Sequence, residues 1–189
     1  DIGLLDELLW LRDIELHFTK SKWSQYQILS SIGKLSVHLP KTQLATSNTF
    51  FDFIHKFKQV MLKPCLGQHG IGIAQVSWKK GDIFEVHNER EILSFSSRRE
   101  IIDYLQFQYF LRTSYLVQQR VSLPTIDDCL FDTRVMVQRE DNNEEWEITA
   151  KVAKVAAQNY IVSNVAKSIL PLEEALKKSS IRKEELLPL

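Results

Sequence analysis

The spacing of hydrophobic and polar positions along this chain predicts several helices. Apolar residues recur three and four positions apart in five segments, which is the pattern of an amphipathic helix. Ser97 followed by Glu100 forms a capping-box sequence at the start of one of them. The predicted helices are Ile2–Leu11, Trp23–Ile32 ending at Gly33, a helix capped by Ser47 or Asn48 and ending near Phe57, Ser97–Phe110, and Leu172–Lys178.

Other segments alternate between apolar and polar residues or are continuously apolar, which predicts strands. Polar turns at 79–82 and 140–143 join two pairs of them into hairpins. The predicted strands are Gln59–Lys63, Ile73–Trp78, Ile83–Asn88, Tyr115–Val121, Phe131–Arg139 and Glu145–Ala157. This order of helices and antiparallel hairpins predicts an α+β protein.

One loop of the chain is rich in glycine. Three of the six glycines, Gly67, Gly70 and Gly72, lie between the first two predicted strands, and Lys63 ends the first of these strands. Free backbone N–H groups in such a loop can bind an anion, and a lysine adds a positive charge. The loop is therefore either a clamp for nucleotide phosphates or an ordinary hairpin loop, with even odds on glycine count alone.

Composition narrows the class of protein. The chain of 189 residues has 24 basic and 24 acidic residues, which argues against a general nucleic-acid binder. Cys65 and Cys129 are too few for a disulfide framework or a zinc site, which favours a reducing cytosol. No apolar run is long enough for a membrane span. The chain begins with Asp1 rather than Met, so we expect it to be part of a longer protein.

Several polar residues are candidates for a binding site. Asp132 and Arg134 lie two apart on a predicted strand, so they share a face. They form either a structural ion pair or an anchor for phosphate or carboxylate. Gln118 and Gln119 either contact a purine or are plain surface residues, and Asn164 either contacts a metal or phosphate or is a turn residue. Lys22 either binds phosphate or is solvated, and His69 either contacts phosphate or is a polar surface residue.

The order of these motifs resembles the ATP-grasp superfamily, and in particular its YheC/YheD group of endospore-coat-associated proteins. The resemblance covers roughly Phe18–Ser168, and its most specific parts are the glycine loop with its lysine and the strand that contains Asp132 and Arg134. The segments that carry it are Lys22-Trp23, Leu39–Thr42, Leu62–Pro64 with Gly67–Ile73, Val117–Gln119, Phe131–Val137 and Val162–Asn164.

The resemblance implies two small α+β subdomains with antiparallel sheets that enclose a nucleotide cleft. The expected division is an N-terminal segment 1–50, a glycine-loop subdomain 51–112, and a second, truncated subdomain 113–189. The resemblance also implies a role for each site residue. The α- and β-phosphates of ATP would be bound by Lys22 and Lys63, and the loop that closes over the phosphates would consist of Gly67, Gln68, His69, Gly70 and Gly72. The adenine would be lined by Gln118, Gln119 and Val121. Arg134 would be the catalytic residue at the γ-phosphate or acyl-phosphate, and Asn164 would lie near the metal.

The sequence departs from the family at three places, one of which is Val165–Ser168, where related proteins tend to carry glycines. Gln119 stands where an acidic residue is usual, and no Glu-x-Asn element that would hold Mg²⁺ follows Asn164. We therefore expect the cofactors to be ATP and Mg²⁺, with the remaining metal ligands outside this chain.

Three functions remain open at this point, one of which is a nucleotide sensor without chemistry. The first is an ATP-grasp enzyme that activates a carboxylate as an acyl-phosphate and transfers it to an amine. The second is a non-catalytic module of the spore coat that keeps the fold. The expected partners are a nucleotide, an unidentified carboxylate and amine, and coat proteins or a second copy of the chain, without nucleic acid or membrane. The expected location is the cytoplasm or the spore coat, in the context of sporulation.

Overall fold

The computed structural model of the protein describes residues 21–88, 91–139, 145–161 and 165–181. The predicted helix 2–11, Asn164 and residues 182–189 lie outside them. The chain divides into two compact units, Asp1–Val121 and Ser122–Leu189. Each unit contains an antiparallel sheet with helices, so the predicted α+β class with two antiparallel sheets is confirmed.

The first unit is built on a six-stranded sheet with the strand order β1-β6-β2-β3-β4-β5, in which every neighbouring pair is antiparallel. β6 reaches its place between β1 and β2 from far along the chain. The described elements of this unit are α1 Lys22–Ser31, α2 Gly33–Ser36, β1 Thr42–Leu44, α3 Ser47–Phe57, β2 Gln59–Pro64, β3 Ala74–Trp78, β4 Phe84–Asn88, β5 Glu91–Phe95, α4 Arg98–Leu105, a π-helical turn Gln106–Phe110 and β6 Tyr115–Gln119.

The core of the first unit lies between one face of this sheet and the helices α3 and α4. Phe50 and Ile54 are four residues apart, so they share one side of α3, and both are completely buried. Ile101 and Leu105 repeat this spacing on α4 and are also completely buried. The sheet contributes Val60, Leu62, Val76, Phe84, Val86 and Val117. Burial of these side chains is the main stabilising contribution to the unit.

The second unit contains a four-stranded sheet with the strand order β10-β9-β8-β7. Its elements are β7 Thr125–Ile126, β8 Cys129–Gln138, β9 Glu147–Ala156, β10 Ala166–Pro171 and α5 Leu172–Lys178. The core of the unit is a small cluster that includes Phe131, Val155 and Ala175. Ala175 belongs to α5, so this helix packs on the sheet end that holds Phe131.

The structure confirms most predicted elements and corrects several ends. Thr46, not Ser47 or Asn48, caps α3, because its hydroxyl accepts from the N–H of Thr49 at 3.1 Å. α1 ends at Ser31, one residue before the predicted end, and Gly33 begins the separate short helix α2. The predicted helix from Ser97 to Phe110 changes into a π-helical turn after Leu105.

Some strands were not predicted at all. β5 is a short edge strand that pairs only with β4 among the described strands, and β10 pairs with β9 and ends at Pro171. β6, which lies within the range predicted for the second subdomain, pairs with β1 and β2 of the first unit. It also ends at Gln119 rather than at Val121.

Candidate functional site

One face of the first unit's sheet carries a row of side chains that are polar except for the buried Met61. Residues that pair directly across neighbouring strands project from the same face. The register pairs Thr42 with Gln118, Gln118 with Met61, Met61 with Gln75, and Gln75 with His87. The opposite face carries the buried valines and leucines of the core. The row therefore lies on the face that does not pack against α3 and α4.

Lys63 lies on this polar face, two residues after Met61 on β2. Its Nζ donates to Oε1 of Gln118 at 2.6 Å. The Nε2 of Gln118 in turn donates to the hydroxyl of Thr42 at 2.7 Å. This chain of hydrogen bonds across three strands fixes both the lysine and the glutamine.

Arg120 joins the same face and was not among the predicted site residues. Its Nε donates to Oε1 of Gln75 at 2.9 Å. Its backbone N–H donates to the carbonyl of Gln59 at 3.3 Å, so the pairing of β6 with β2 continues one residue beyond the strand. Arg120 lies two residues after Gln118, and the two-residue period of a strand could have identified it from the sequence.

Lys22 comes to the same place from the first turn of α1. The hydroxyl of Ser21 caps this helix, and the N–H of Lys22 donates to the carbonyl of Cys65 at 2.9 Å. The Nζ of Lys22 donates to the carbonyls of Pro64 at 3.2 Å and Gly67 at 2.7 Å. These bonds attach the beginning of the helix to the end of β2 and to the first residues of the glycine loop.

The other two cations act on the charge of Lys63. Burial lowers the pKa of Lys63, and the positive charges of Arg120 and Lys22 lower it further. Burial also lowers the pKa of Arg120. Burial raises the pKa of the Cys65 thiol, an effect that the charge of Lys22 opposes. In the described parts of the chain, no Asp or Glu forms an ion pair with any of the three cations. We call Lys22, Lys63 and Arg120 the cation cluster.

The glycine loop, residues 65–73, begins directly beside this cluster. Its backbone is left-handed or otherwise at positive φ at four residues, with φ of 131° at Gly67, 60° at His69, 78° at Gly70 and 75° at Gly72. Gln68 and His69 are exposed. Within the described residues, the N–H groups of positions 67 to 70 donate no backbone hydrogen bond. The loop thus offers a run of free donors next to three cationic side chains.

Tyr115 holds the end of the loop. Its hydroxyl donates to the carbonyl of Gly72 at 3.1 Å. A Cβ at position 72 would lie 2.8 Å from that hydroxyl oxygen, so a side chain does not fit there without movement. Glycine at position 72 is therefore required both by the positive φ and by the neighbouring tyrosine.

The remaining predicted site residues have different surroundings. The side chain of Gln119 projects from the opposite face to Gln118, and its Oε1 accepts from the N–H of Lys41 at 3.4 Å. Only its backbone can therefore share a contact with Gln118. Val121 is half exposed, and its carbonyl accepts from Arg120. The roles assigned to these two residues stay predictions.

In the second unit, Arg134 and Asp132 form an ion pair with each other at 2.9 Å. They share a face of β8 as predicted, and 54% of the Arg134 side chain is exposed. The other carboxylate oxygen of Asp132 is buried without a hydrogen-bond partner in the described chain. Asn164 lies outside the described residues. The catalytic role of Arg134 therefore stays a prediction.

Comparison with known families places these features in context. A family model described as YheC/D like ATP-grasp matches residues 16–187. The chain belongs to this ATP-grasp family. ATP-grasp proteins in general use ATP and Mg²⁺, and the two antiparallel sheets agree with that fold.

The chain is also similar to a curated protein of this group, the endospore coat-associated protein YheD of Bacillus subtilis (strain 168). The two are 26% identical over 155 residues, which cover 77% of this chain and 33% of the relative. The ATP-grasp chain thus spans about one third of the length of that relative. No solved structure matches the ATP-grasp chain. Over the described residues, no helix has the length and apolar character that crossing a membrane requires.

Proposed function

We propose that this ATP-grasp chain binds ATP, with the phosphates held by the cation cluster and the glycine loop of the first unit. The observation that carries the proposal is the cation cluster itself. Lys22, Lys63 and Arg120 come from three distant segments, lie close enough for their charges to lower the pKa of Lys63, and have no carboxylate partner in the described chain.

This arrangement of three cations has an energetic cost. Like charges repel, and a buried ammonium is less well solvated than one in water. A bound polyphosphate removes both costs, because it supplies negative charge and accepts hydrogen bonds. The cluster is therefore an arrangement that a phosphate ligand stabilises.

The donors that remain free fit this ligand. An ammonium has three N–H donors, and the structure uses two on Lys22 and one on Lys63. Arg120 uses its Nε on Gln75 and one terminal nitrogen on the carbonyl of Val121. The free N–H groups of positions 67 to 70 add backbone donors, and we propose that the loop, whose residues 66–69 are exposed, closes over the phosphates.

The polar row beside the cluster has further open positions. The Nε2 of His87 is buried and has no hydrogen-bond partner in the described chain. It lies on the strand next to Gln75, which positions Arg120. An orphan polar atom on this face supports a ligand that completes its hydrogen bonding. We place the adenine near Gln118 and the backbone of residues 119–121, the position that the family resemblance implies.

The proposed reaction class is taken by analogy from the family. We propose chemistry of the carboxylate–amine ligase type, in which ATP supplies the phosphoryl group of an acyl-phosphate. The chain's part is to neutralise phosphate charge with Lys22, Lys63 and Arg120 and to exclude water with the glycine loop. By analogy with the relative's name, we propose that the protein acts in association with the endospore coat.

The described residues do not form a metal site by themselves. No group of three His, Cys, Asp or Glu side chains in the described ranges is arranged to hold an ion. The expected Mg²⁺ has no ligand set here, and the proposed roles of the cations do not depend on one.

Thermal unfolding with and without ATP tests the proposal. ATP at 100 times its Kd stabilises a protein by about 2.7 kcal/mol, which raises the Tm of a chain of this size by roughly 5–11 °C. A lost charge-assisted hydrogen bond weakens binding by roughly 10-fold to 100-fold. In Lys63→Met at the same ATP concentration we therefore expect a shift of only about 1–6 °C. Arg120→Gln should show a similar loss.

Lys80→Met is the matched control, because Lys80 is exposed in the β3–β4 turn and has no ion pair in the described chain. It should keep the full ATP shift. An ATP shift that is absent from the unmodified protein, or equal in Lys63→Met and Lys80→Met, contradicts the proposal. In that case a non-catalytic coat module is the better interpretation.

A further inference from the structure

A second pocket opens on the first unit, and none of its lining residues belongs to the cation cluster. It has a volume of about 560 Å³, within the range of roughly 300–1,000 Å³ typical of small-molecule sites. Its walls come from the end of β4, from β5, from α4, and from the segment between the π-helical turn and β6. It shares only Gly72 and Ile73 with the glycine loop.

The aromatic wall of the pocket is a row of three tyrosines. The rings of Tyr104 and Tyr109 lie 6.1 Å apart at 74°, and those of Tyr109 and Tyr115 lie 5.2 Å apart at 71°. Both are edge-to-face arrangements. Burial is the main reason why the pKa values of Tyr109 and Tyr115 are raised, so their hydroxyls stay neutral. Such a wall suits an apolar or aromatic group of a ligand.

The pocket also contains one cation and one anion, Arg112 and Glu91. They do not form an ion pair with each other, and in the described chain neither has another ion-pair partner. Two opposite charges that line one pocket without neutralising each other match a ligand that carries both charges.

Arg112 is held in place by contacts in which its terminal nitrogens form no hydrogen bond to the described residues. Its Nε donates to the carbonyl of Phe107 at 3.2 Å, and its guanidinium lies 5.6 Å from the centre of the Phe107 ring. Both contacts depend on the π-helical turn, which the bond from the N–H of Leu111 to the carbonyl of Gln106 closes at 3.0 Å. π-helical turns occur frequently at functional sites. The two free nitrogens have the geometry that a carboxylate accepts in pairs.

From these observations we infer that this pocket binds an amino acid or short peptide with an aromatic side chain. The α-carboxylate lies on Arg112, the ammonium on Glu91, and the side chain against Tyr104 and Tyr109. The inference is independent of ATP binding, because none of these residues belongs to the cation cluster.

Calorimetric titration with L-phenylalanine and with the dipeptide L-phenylalanyl-L-phenylalanine tests the inference. At least one of the two should bind with a millimolar or lower Kd. The one-charge analogues 3-phenylpropionate and phenethylamine should bind about 10-fold or more weakly than L-phenylalanine or the dipeptide, because each lacks one charge-assisted contact. No binding by either zwitterion, or equal binding by the one-charge analogues, overturns the inference.

Two variants locate the site. Arg112→Gln should weaken zwitterion binding about 10-fold but leave phenethylamine unchanged. Glu91→Gln should weaken zwitterion binding by a similar factor but leave the binding of 3-phenylpropionate unchanged. Arg99→Gln is the control, because Arg99 is exposed on α4 and outside the pocket. Unchanged zwitterion binding in both pocket variants refutes the assignment. If a variant does not fold, the comparison of the zwitterions with the one-charge analogues on the unmodified protein still tests the inference.

Discussion

Gly72→Ala provides a sharp test of the packing at the end of the glycine loop. Alanine at a left-handed φ costs about 1–2 kcal/mol. At position 72 the new Cβ would also lie 2.8 Å from the Tyr115 hydroxyl. The ring must therefore move, and its hydrogen bond to the Gly72 carbonyl, worth about 1 kcal/mol, is lost. We expect Gly72→Ala to destabilise the protein by about 2–3 kcal/mol in total.

Gly81→Ala separates the two contributions. Gly81 has a similar φ of 62°, but nothing lies within 4 Å of the position where its Cβ would be. It should therefore show the backbone cost alone, about 1–2 kcal/mol. Urea unfolding, followed by tryptophan fluorescence, measures both variants under the same conditions. The difference of about 1 kcal/mol between them corresponds to roughly 2–4 °C in Tm.

Tyr115→Phe completes a double-mutant cycle with Gly72→Ala. Without the hydroxyl, alanine at position 72 should cost no more than at position 81. The coupling free energy should be about 1 kcal/mol, with the double variant more stable than the sum of the single effects predicts. Equal costs for Gly72→Ala and Gly81→Ala in the unmodified background, or strict additivity with Tyr115→Phe, would refute the reasoning.

Two further predictions concern Lys63 and Thr46. Burial lowers the pKa of Lys63 in the folded protein below its ordinary value of 10.5. The charged ammonium therefore destabilises the fold fully below the folded pKa, and this destabilisation disappears as the pH rises from the folded pKa to 10.5. The stability of the unmodified protein relative to Lys63→Met should therefore increase from neutral to alkaline pH in urea titrations, and a constant difference would contradict this. Thr46→Ala should lower the free energy of unfolding by about 1 kcal/mol in the same assay, because Thr46 and Thr49 form reciprocal hydrogen bonds at the start of α3. An unchanged free energy of unfolding would exclude a role for this cap.

The sequence predicted those elements whose signals lie within a few residues of each other. α5 begins directly after Pro171 and ends at Lys178 as expected, and Ser97 accepts from the N–H of Glu100 as a capping residue. The β3–β4 hairpin was found from its turn at 79–82. In each case the residues that decide the element are close in the sequence.

β5 and β10 were missed because each is short and unlike a buried strand. β5 has exposed residues on both faces, and β10 ends in a proline, which strands tolerate only at edges or ends. Neither segment has a clear two-residue period of hydrophobicity. Their pairing with β4 and β9 stabilises them, and that pairing is not encoded locally.

The candidate site was predictable only in part for the same reason. Lys22 and Lys63 were identified from motifs, but Arg120 required the position of β6. The expected division placed β6 in the second subdomain, whereas the structure inserts it between β1 and β2. This long-range pairing brings Gln118 to Lys63 and Arg120 to Gln75.

The pairing of β2 with β6 connects the stability of the first unit with its candidate site. Side chains alternate between the two faces of a strand, so one register decides both faces. The register that places Leu62 opposite Val117 in the core also places Lys63 within reach of Gln118 on the polar face. A slip of one residue would turn Lys63 into the core and expose Leu62. Because the core forbids that slip, the hydrophobic effect that folds the sheet also holds Lys63 and Arg120 on one face, although their charges repel.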